Sequence, residues 1–394
     1  MNRLLFAVIA TAVIVAAVVL GALAGTPPGS SPPSHSPVLV AGATPRPAAS
    51  ATATSPVATT SPSLSPTPSP QPTPVLVPAP LTGRLVSPEV AAQHPIAVMI
   101  DDQADARPQS GFNAASVVWQ APAEGGIPRY MLVFQDTIPE AVGPVRSARQ
   151  YYIDWASELR ALYVHVGGSP QALATLGQSG QGQLVYNADE FRWGGRYLWR
   201  IKERFAPHNV YSDGKHLRAL AKRVGAADGP IEPAWSFAPD VDVDRRPVGG
   251  RISFAYLANA IRYDYDRASN TYIRRVSGQS PQVDAADGRR VAPKNVVIML
   301  VQFGRLNDGH PEKKRLEARN VGQGTAWIAT NGRTIKGTWR KAAGDAPTRF
   351  FDSQGRAVTL TIGQTFVQVL PVGTKVSIRD GAVPVHDPLL PEAS

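Results

Sequence analysis

The sequence predicts an α/β amino-terminal domain followed by a mostly β carboxy-terminal domain, with an amino-terminal transmembrane helix and a disordered stalk in front of them. Three features carry that expectation. Residues 4–25 are uncharged and almost wholly apolar, and residues 26–82 are dominated by Pro, Ser, Thr, Ala and Val. From residue 84 to 225 short apolar runs alternate with helix-patterned stretches, as in layered α/β structure. Beyond about residue 245 the pattern turns to β-branched runs separated by hairpin turns.

The apolar run 4–25 is long enough to span a bilayer, which takes about 20 residues. Arg3 before it fits a cytoplasmic amino terminus and an exported remainder. Its length exceeds the usual signal-peptide core and favours an uncleaved anchor in the cell membrane, residues 1–25. Ala22-Leu23-Ala24 also resembles a signal-peptidase site, and cleavage near Ala24 would leave a secreted protein. Residues 26–82 contain one arginine, Arg46, and no acidic residue, so they cannot bury enough apolar surface to fold. They read as a polyproline-rich linker holding the globular part away from the membrane.

The α/β domain is expected over 83–235. HPIAVMIDD (94–102), SVVWQAP (116–122), RYMLVFQD (129–136) and LYVHV (162–166) read as strands. Over 148–163, Tyr152, Trp155, Leu159 and Leu162 fall at helical spacing. Ser147 with Gln150 has the form of a capping box and predicts a helix beginning at Ala148. Ser169-Pro170 predicts a second helix start. The mostly β domain is expected over 236–394, as a small barrel or sandwich. Asn331-Gly332 signals a type I′ hairpin, and Ala268-Ser269-Asn270 and Asp352 to Gly355 mark further turns.

The candidate chemistry begins with two arginines. The expected capping box puts Arg146 just before a helix and Arg149 in its first turn, where positive charge is disfavoured. Surface ion pairing is the plain explanation. The sharper one is a bound anion held by guanidinium forks and exposed backbone amides. Gly167, Gly168 and Ser169 follow the LYVHV strand, where open α/β sheets gather ligands. Asp101 and Asp102 end another strand and are expected to face the same crevice, followed by Arg107. Glu124 and Arg129 flank a glycine turn, and His208 and Asn209 lie in a loop.

With no cysteine among 394 residues, a thiol nucleophile, a Cys-type zinc site and a lipidated cysteine are excluded. Asp101, His165 and His208 lack any recognised metal-ligand spacing, so neither a metal nor a cofactor is expected. The net charge of +10 suits an acidic polymer or lipid headgroups. Export and the lack of a dense basic recognition segment argue against nucleic acid. The basic and aromatic alternation of RYDYDRASNTYIRR and TWRK reads as an exposed β surface.

VMIDDQADARPQSG, VVWQAPAEGGIPRYMLVFQD, GPVRSARQYYIDWA, YVHVGGSPQAL and PHNVYS occur in that order, followed by GTWRKAAGDAPTRFFDSQGR and GQTFVQVLP. In this ordered set the chain resembles the YerB-like family of bacterial lipoproteins, a domain-of-unknown-function family, over about residues 85–375. The resemblance implies a two-part envelope-associated protein and supplies no catalytic assignment. Attachment here must use the apolar segment, since no cysteine is available.

The leading expectation is an extracytoplasmic module binding an anionic envelope polymer or small anion. Its contacts would be Arg107, Arg129, Arg146, Arg149, Gly167, Gly168, Ser169, His208 and Asn209. A second is a hydrolase or transferase acting on such a polymer, with Asp101 or Glu124 as acid or base and His165 assisting. A third is a protein-assembly scaffold whose β half meets a protein partner.

Overall fold

The computed structural model describes residues 75–383. The apolar segment 4–25 and the linker through residue 74 lie outside the described residues. Among the described residues no helix is long and apolar enough to cross a membrane. The expected linker ends early: Ala79, Leu81 and Thr82 are buried, and Thr82 donates its hydroxyl to Asp136 at 2.7 Å. An apolar Leu81 with a hydroxyl neighbour suits a core edge better than a solvated tether.

The described chain is β-rich with few helices. The first strands are β1 (Ile96–Asp101), β2 (Val117–Pro122) and β3 (Pro128–Phe134), each buried at every position. Burial on both faces explains why they read as continuous apolar runs. Helix α1 (Gln150–Ser157) leads to β4 (Leu162–His165), and α2 (Pro170–Leu176) leads to β5 (Tyr186–Asp189). Both β4 and β5 join in parallel, giving the order β3-β1-β4-β5. Helix α3 (Gly214–Arg223) follows.

The second half does not close into its own barrel or sandwich. Three of its strands, β6 (Val248–Ala255), β7 (Ala260–Asp266) and β8 (Thr271–Val276), form an antiparallel sheet. The others extend the first sheet: β9 (Asn295–Arg305), β10 (Leu316–Arg319), β11 (Gly322–Thr330), β12 (Arg333–Lys341), β13 (Arg349–Asp352) and β14 (Thr365–Pro371). The last strand, β15 (Ser377–Ala382), returns to pair with β6. The large sheet runs β13-β12-β11-β9-β14-β2-β3-β1-β4-β5, with β10 beside β9. Its centre is the parallel pairing of β14 with β2, registering Thr365 with Val117 and Gln368 with Gln120. β14 is buried along almost its whole length, so it needs a partner on each side, and β9 and β2 supply them.

Side-chain alternation sorts the strands onto two apolar faces. Ala97, Met99, Trp119 and Met131 meet Tyr152 and Trp155 of α1 and Leu176 of α2. Val98, Ile100, Val118 and Leu132 meet Leu217 and Leu220 of α3 and the aromatic face of the smaller sheet. Trp119 stacks on Trp155 with ring centroids 4.7 Å apart. Tyr152 donates its hydroxyl to the Arg129 carbonyl at 2.5 Å, locking α1 onto the start of β3. The β11–β12 turn is the two-residue hairpin that Asn331-Gly332 signals, with φ of 49° and 72°.

α1 starts later than the capping-box pattern predicts. Arg149 is its cap, with extended backbone, and Ser147 makes no capping bond. The reason is competition: residues 144–148 are already committed to sheet-like hydrogen bonds. Arg146 N–H donates to the Met99 carbonyl at 2.9 Å, and Ala148 N–H to that of Gly167 at 2.9 Å. The segment therefore closes the ends of β1 and β4 before the helix can begin.

A buried polar hub fixes the smaller sheet to the larger one. Asp102 is 1% exposed and faces away from α1. Its carboxylate accepts from Arg107 at 2.9 Å, Gln120 at 2.7 Å and Asn259 at 2.8 Å. Arg274, also buried, donates to Gln120 Oε1 at 2.7 Å and lies over the Tyr130 ring at 5.3 Å. Burial pushes the Asp102 carboxyl up, and the Arg107 and Arg274 guanidiniums pull it back. Removing that carboxylate takes the ion-pair partner from Arg107 and the neighbouring negative charge from the fully buried Arg274. Asp102→Ala is expected to lower unfolding free energy by about 3–5 kcal/mol in urea titration of the detergent-solubilised chain. A loss below about 1 kcal/mol would show that the hub does not hold the sheets together.

Candidate anion-binding site

Beyond the carboxyl end of β1, on the α1 side of the sheet, lies a cleft of about 430 Å³. Five cationic side chains line it, Arg129, Arg146, Arg149, Lys313 and Arg315, against three carboxylates, Asp101, Glu124 and Glu312. Asp101 ends β1 directly across the register from Arg129 in β3. Arg146 and Arg149 arrive on the segment stitched between β1 and the 166–168 turn. Gly168 completes that wall, bridged to Ala148. A Cβ on Gly168 would stand 3.3 Å from the Ala148 Cβ, so a side chain there would crowd the wall.

The ion pairs share two carboxylates among three guanidiniums. Glu124 takes Arg129 at 3.0 Å and also pairs with Arg149. Asp101 Oδ2 lies 2.8 Å from Arg146 Nε and 2.7 Å from His208 Nδ1. The Arg146 contact is a close ion pair made through Nε. Among the described residues nothing accepts from the Arg146 terminal nitrogens, and the buried Arg149 Nε likewise has no partner. Burial holds the Arg149 guanidinium down at about 10 and lowers Arg129 and Arg146 as well; Asp101 partly offsets this for Arg146. Desolvation of that kind penalises positive charge, and an anion in the cleft would relieve it.

The structure thus brings Asp101, Glu124, Arg129, Arg146, Arg149 and Gly168 to one cleft, with His208 behind Asp101. The other candidates stand elsewhere. Asp102 and Arg107 do not share the crevice, because consecutive strand residues face opposite ways and Asp102 turns to the smaller sheet. His165 is fully buried, its ring nitrogens bonded to the Gly167 carbonyl at 2.9 Å and Asn187 Oδ1 at 2.8 Å. That removes it from an assisting role. Gly167, at φ 55°, gives its N–H to Asp189, and Ser169 caps α2 with its own hydroxyl. Asn209 accepts from Arg200 at 3.0 Å.

Lys313 and Arg315 were not among the sequence candidates. They come from the loop 306–315 between β9 and β10, with Arg315 braced by Asp308 at 2.6 Å. Their only sequence signal is the Lys313-Lys314-Arg315 run, which gives no sign that it folds back across the molecule to Asp101.

Comparison with known proteins follows the same two-part layout. Residues 81–227 match the amino-terminal domain model, and residues 252–367 the carboxy-terminal domain model, of a protein family of unknown function, DUF3048. The chain is 28% identical over 308 residues to a protein of Bacillus subtilis (strain 168) named "Putative lipoprotein YerB", covering 77% of this chain and 89% of that one. The crystal structure of the YerB protein from Bacillus subtilis superposes with a TM-score of 0.67 at 25% identity. That match covers 76% of this chain and 99% of the other. With both models matched in order, this chain belongs to the YerB-like DUF3048 family.

Proposed function

We propose that this chain is an extracytoplasmic, membrane-tethered protein that holds an anionic envelope ligand in the cleft. Arg146 is the principal contact, with Arg129 and Arg149 behind it and Lys313 and Arg315 opposite. One observation carries the reading: three partly or fully buried guanidiniums share two carboxylates. Although Arg129 and Arg149 also give a nitrogen to the Ser147 and Ala148 carbonyls, respectively, Arg149 Nε and the Arg146 terminal nitrogens have no acceptor among the described residues. Buried charge is ordinarily matched, so the surplus suits a negative partner supplied from outside. Tethering is supported by the relative's description as a lipoprotein and by the apolar run 4–25, which would replace a lipidated cysteine here.

Arg146 is the informative residue to change, because its side chain is the most exposed of the three, 18% against 10% for Arg129 and 6% for Arg149, and Asp101 keeps His208 without it. Calorimetric titration of the detergent-solubilised chain with inorganic pyrophosphate and with purified teichoic acid should give binding to at least one. Arg146→Ala should weaken it by about 10-fold or more, since a hydrogen bond to a charged group contributes about 1.5–3 kcal/mol. The melting temperature should stay close to that of the parent. Unchanged binding in Arg146→Ala, or none in the parent, would contradict the reading.

One contact favours a catalytic variant of the same site. The Asp101 carboxylate holds His208 Nδ1 at 2.7 Å, which leaves Nε2 to take or give a proton. Glu124, engaged by two arginines, suits an acid role poorly. Incubation of the chain with purified cell-wall polymer should then release fragments, and His208→Ala should abolish release while preserving pyrophosphate binding. Absence of release by the parent would remove the catalytic reading and leave the binding one.

A further inference from the structure

The three most exposed large hydrophobic side chains among the described residues are Phe205 (92%), Leu257 (86%) and Phe191 (76%). They come from three separate segments: Phe191 and Leu257 stand against glycines that adjoin the cleft lining, and Phe205 lies in the loop that carries His208. Phe191 lies over Gly167, its ring 3.1 Å from where a Cβ would stand, and Gly167 precedes the cleft-lining Gly168. The Leu257 side chain fills the space beside Gly126, between the cleft-lining Glu124 and Ile127. The Phe205 carbonyl accepts from the His208 N–H at 2.9 Å, and His208 holds Asp101. Isolated exposed apolar residues are ordinary, but several next to the walls of one charged cleft point to an interaction surface.

Resting on the reading of the cleft as an anion site, we propose that its ligand is the anionic headgroup of a membrane lipid, with Phe191, Phe205 and Leu257 entering the apolar layer beside it. The charge fits: five cationic side chains line the cleft with three carboxylates, and counting Asp308 on Arg315 leaves one cation in excess where a phosphate would sit. The apolar neighbours fit too, because a free polar anion gives no reason to expose Phe191 and Leu257 beside its site, with Phe205 on the adjoining His208 loop. Basic residues with aromatic and aliphatic neighbours at one surface are the composition of interfacial membrane contact.

The absence of cysteine makes the test clean, since a single introduced thiol carries the only label. The full chain would be reconstituted in vesicles of phosphatidylcholine, with or without phosphatidylglycerol, and labelled with an environment-sensitive fluorophore at Phe205→Cys or Leu257→Cys. Leu85→Cys is the control: Leu85 is exposed and adjoins Arg84, which pairs with Asp136 beyond the carboxyl end of β3, the edge of the sheet opposite the cleft. With phosphatidylglycerol, the labels at 205 and 257 should shift to the blue, lose access to aqueous iodide and be quenched by nitroxide lipid. The label at 85 should not respond, and Arg146→Ala should return the 205 signal to its water value. Insertion that ignores phosphatidylglycerol or survives Arg146→Ala would overturn headgroup recognition. If the labels stay in water while pyrophosphate still binds through Arg146, the lipid inference fails and the anion reading stands. If neither occurs, both fail.

Discussion

The parallel pairing of Thr365–Pro371 with Val117–Pro122 joins residues 248 positions apart, as Thr365 with Val117, and the remaining architecture is arranged around it. Without it β2 would present a bare edge, and β14, buried on both faces, would have nothing on one side. The pairing also sets β9 parallel to β2, β1, β4 and β5, with β3 running the other way. The chain leaving β9 therefore emerges at the edge where β1 ends. That is how Lys313 and Arg315 reach a cleft otherwise built from residues 101–168.

The adjacent carboxylates Asp101 and Asp102 divide two tasks between the faces of this sheet. Asp102 points inward and accepts from Arg107, Gln120 and Asn259, which ties the smaller sheet down. Asp101 points to the cleft and restrains Arg146 and His208. The inner cluster is well supplied with acceptors, whereas the outer one is short of them. That difference separates a structural polar network from a surface that gains by meeting an anion.

Local pattern in the sequence carries the elements well, because each strand buried on both faces is written as an unbroken apolar run. The Ser169 cap and the Asn331-Gly332 turn are equally local and appear as the residues indicate. The capping box at Ser147 misleads for a physical reason: the backbone amides of 146 and 148 find sheet-like partners, which overrides a side-chain cap. The joining of the two halves into one sheet is not written locally at all, since TFVQVLP would suit any buried strand. The same holds for the site. Arg129, Arg146, Arg149 and Gly168 stand out individually, but the distance from Arg315 to Asp101 depends on a crossover that no spacing reveals. His165 stands out equally and is a core residue, because only packing shows both its nitrogens occupied.

The measurement that bears most directly on this account is an anomalous diffraction map of crystals soaked in tungstate, a heavy tetrahedral dianion. The surplus of guanidinium donors predicts a peak in the cleft within hydrogen-bonding distance of the terminal nitrogens of Arg146, with Glu124 still paired to Arg129. A map with no peak in the cleft at saturating tungstate, or with Arg146 turned fully onto Asp101, would mean that the arginines satisfy one another's carboxylates and hold no ligand.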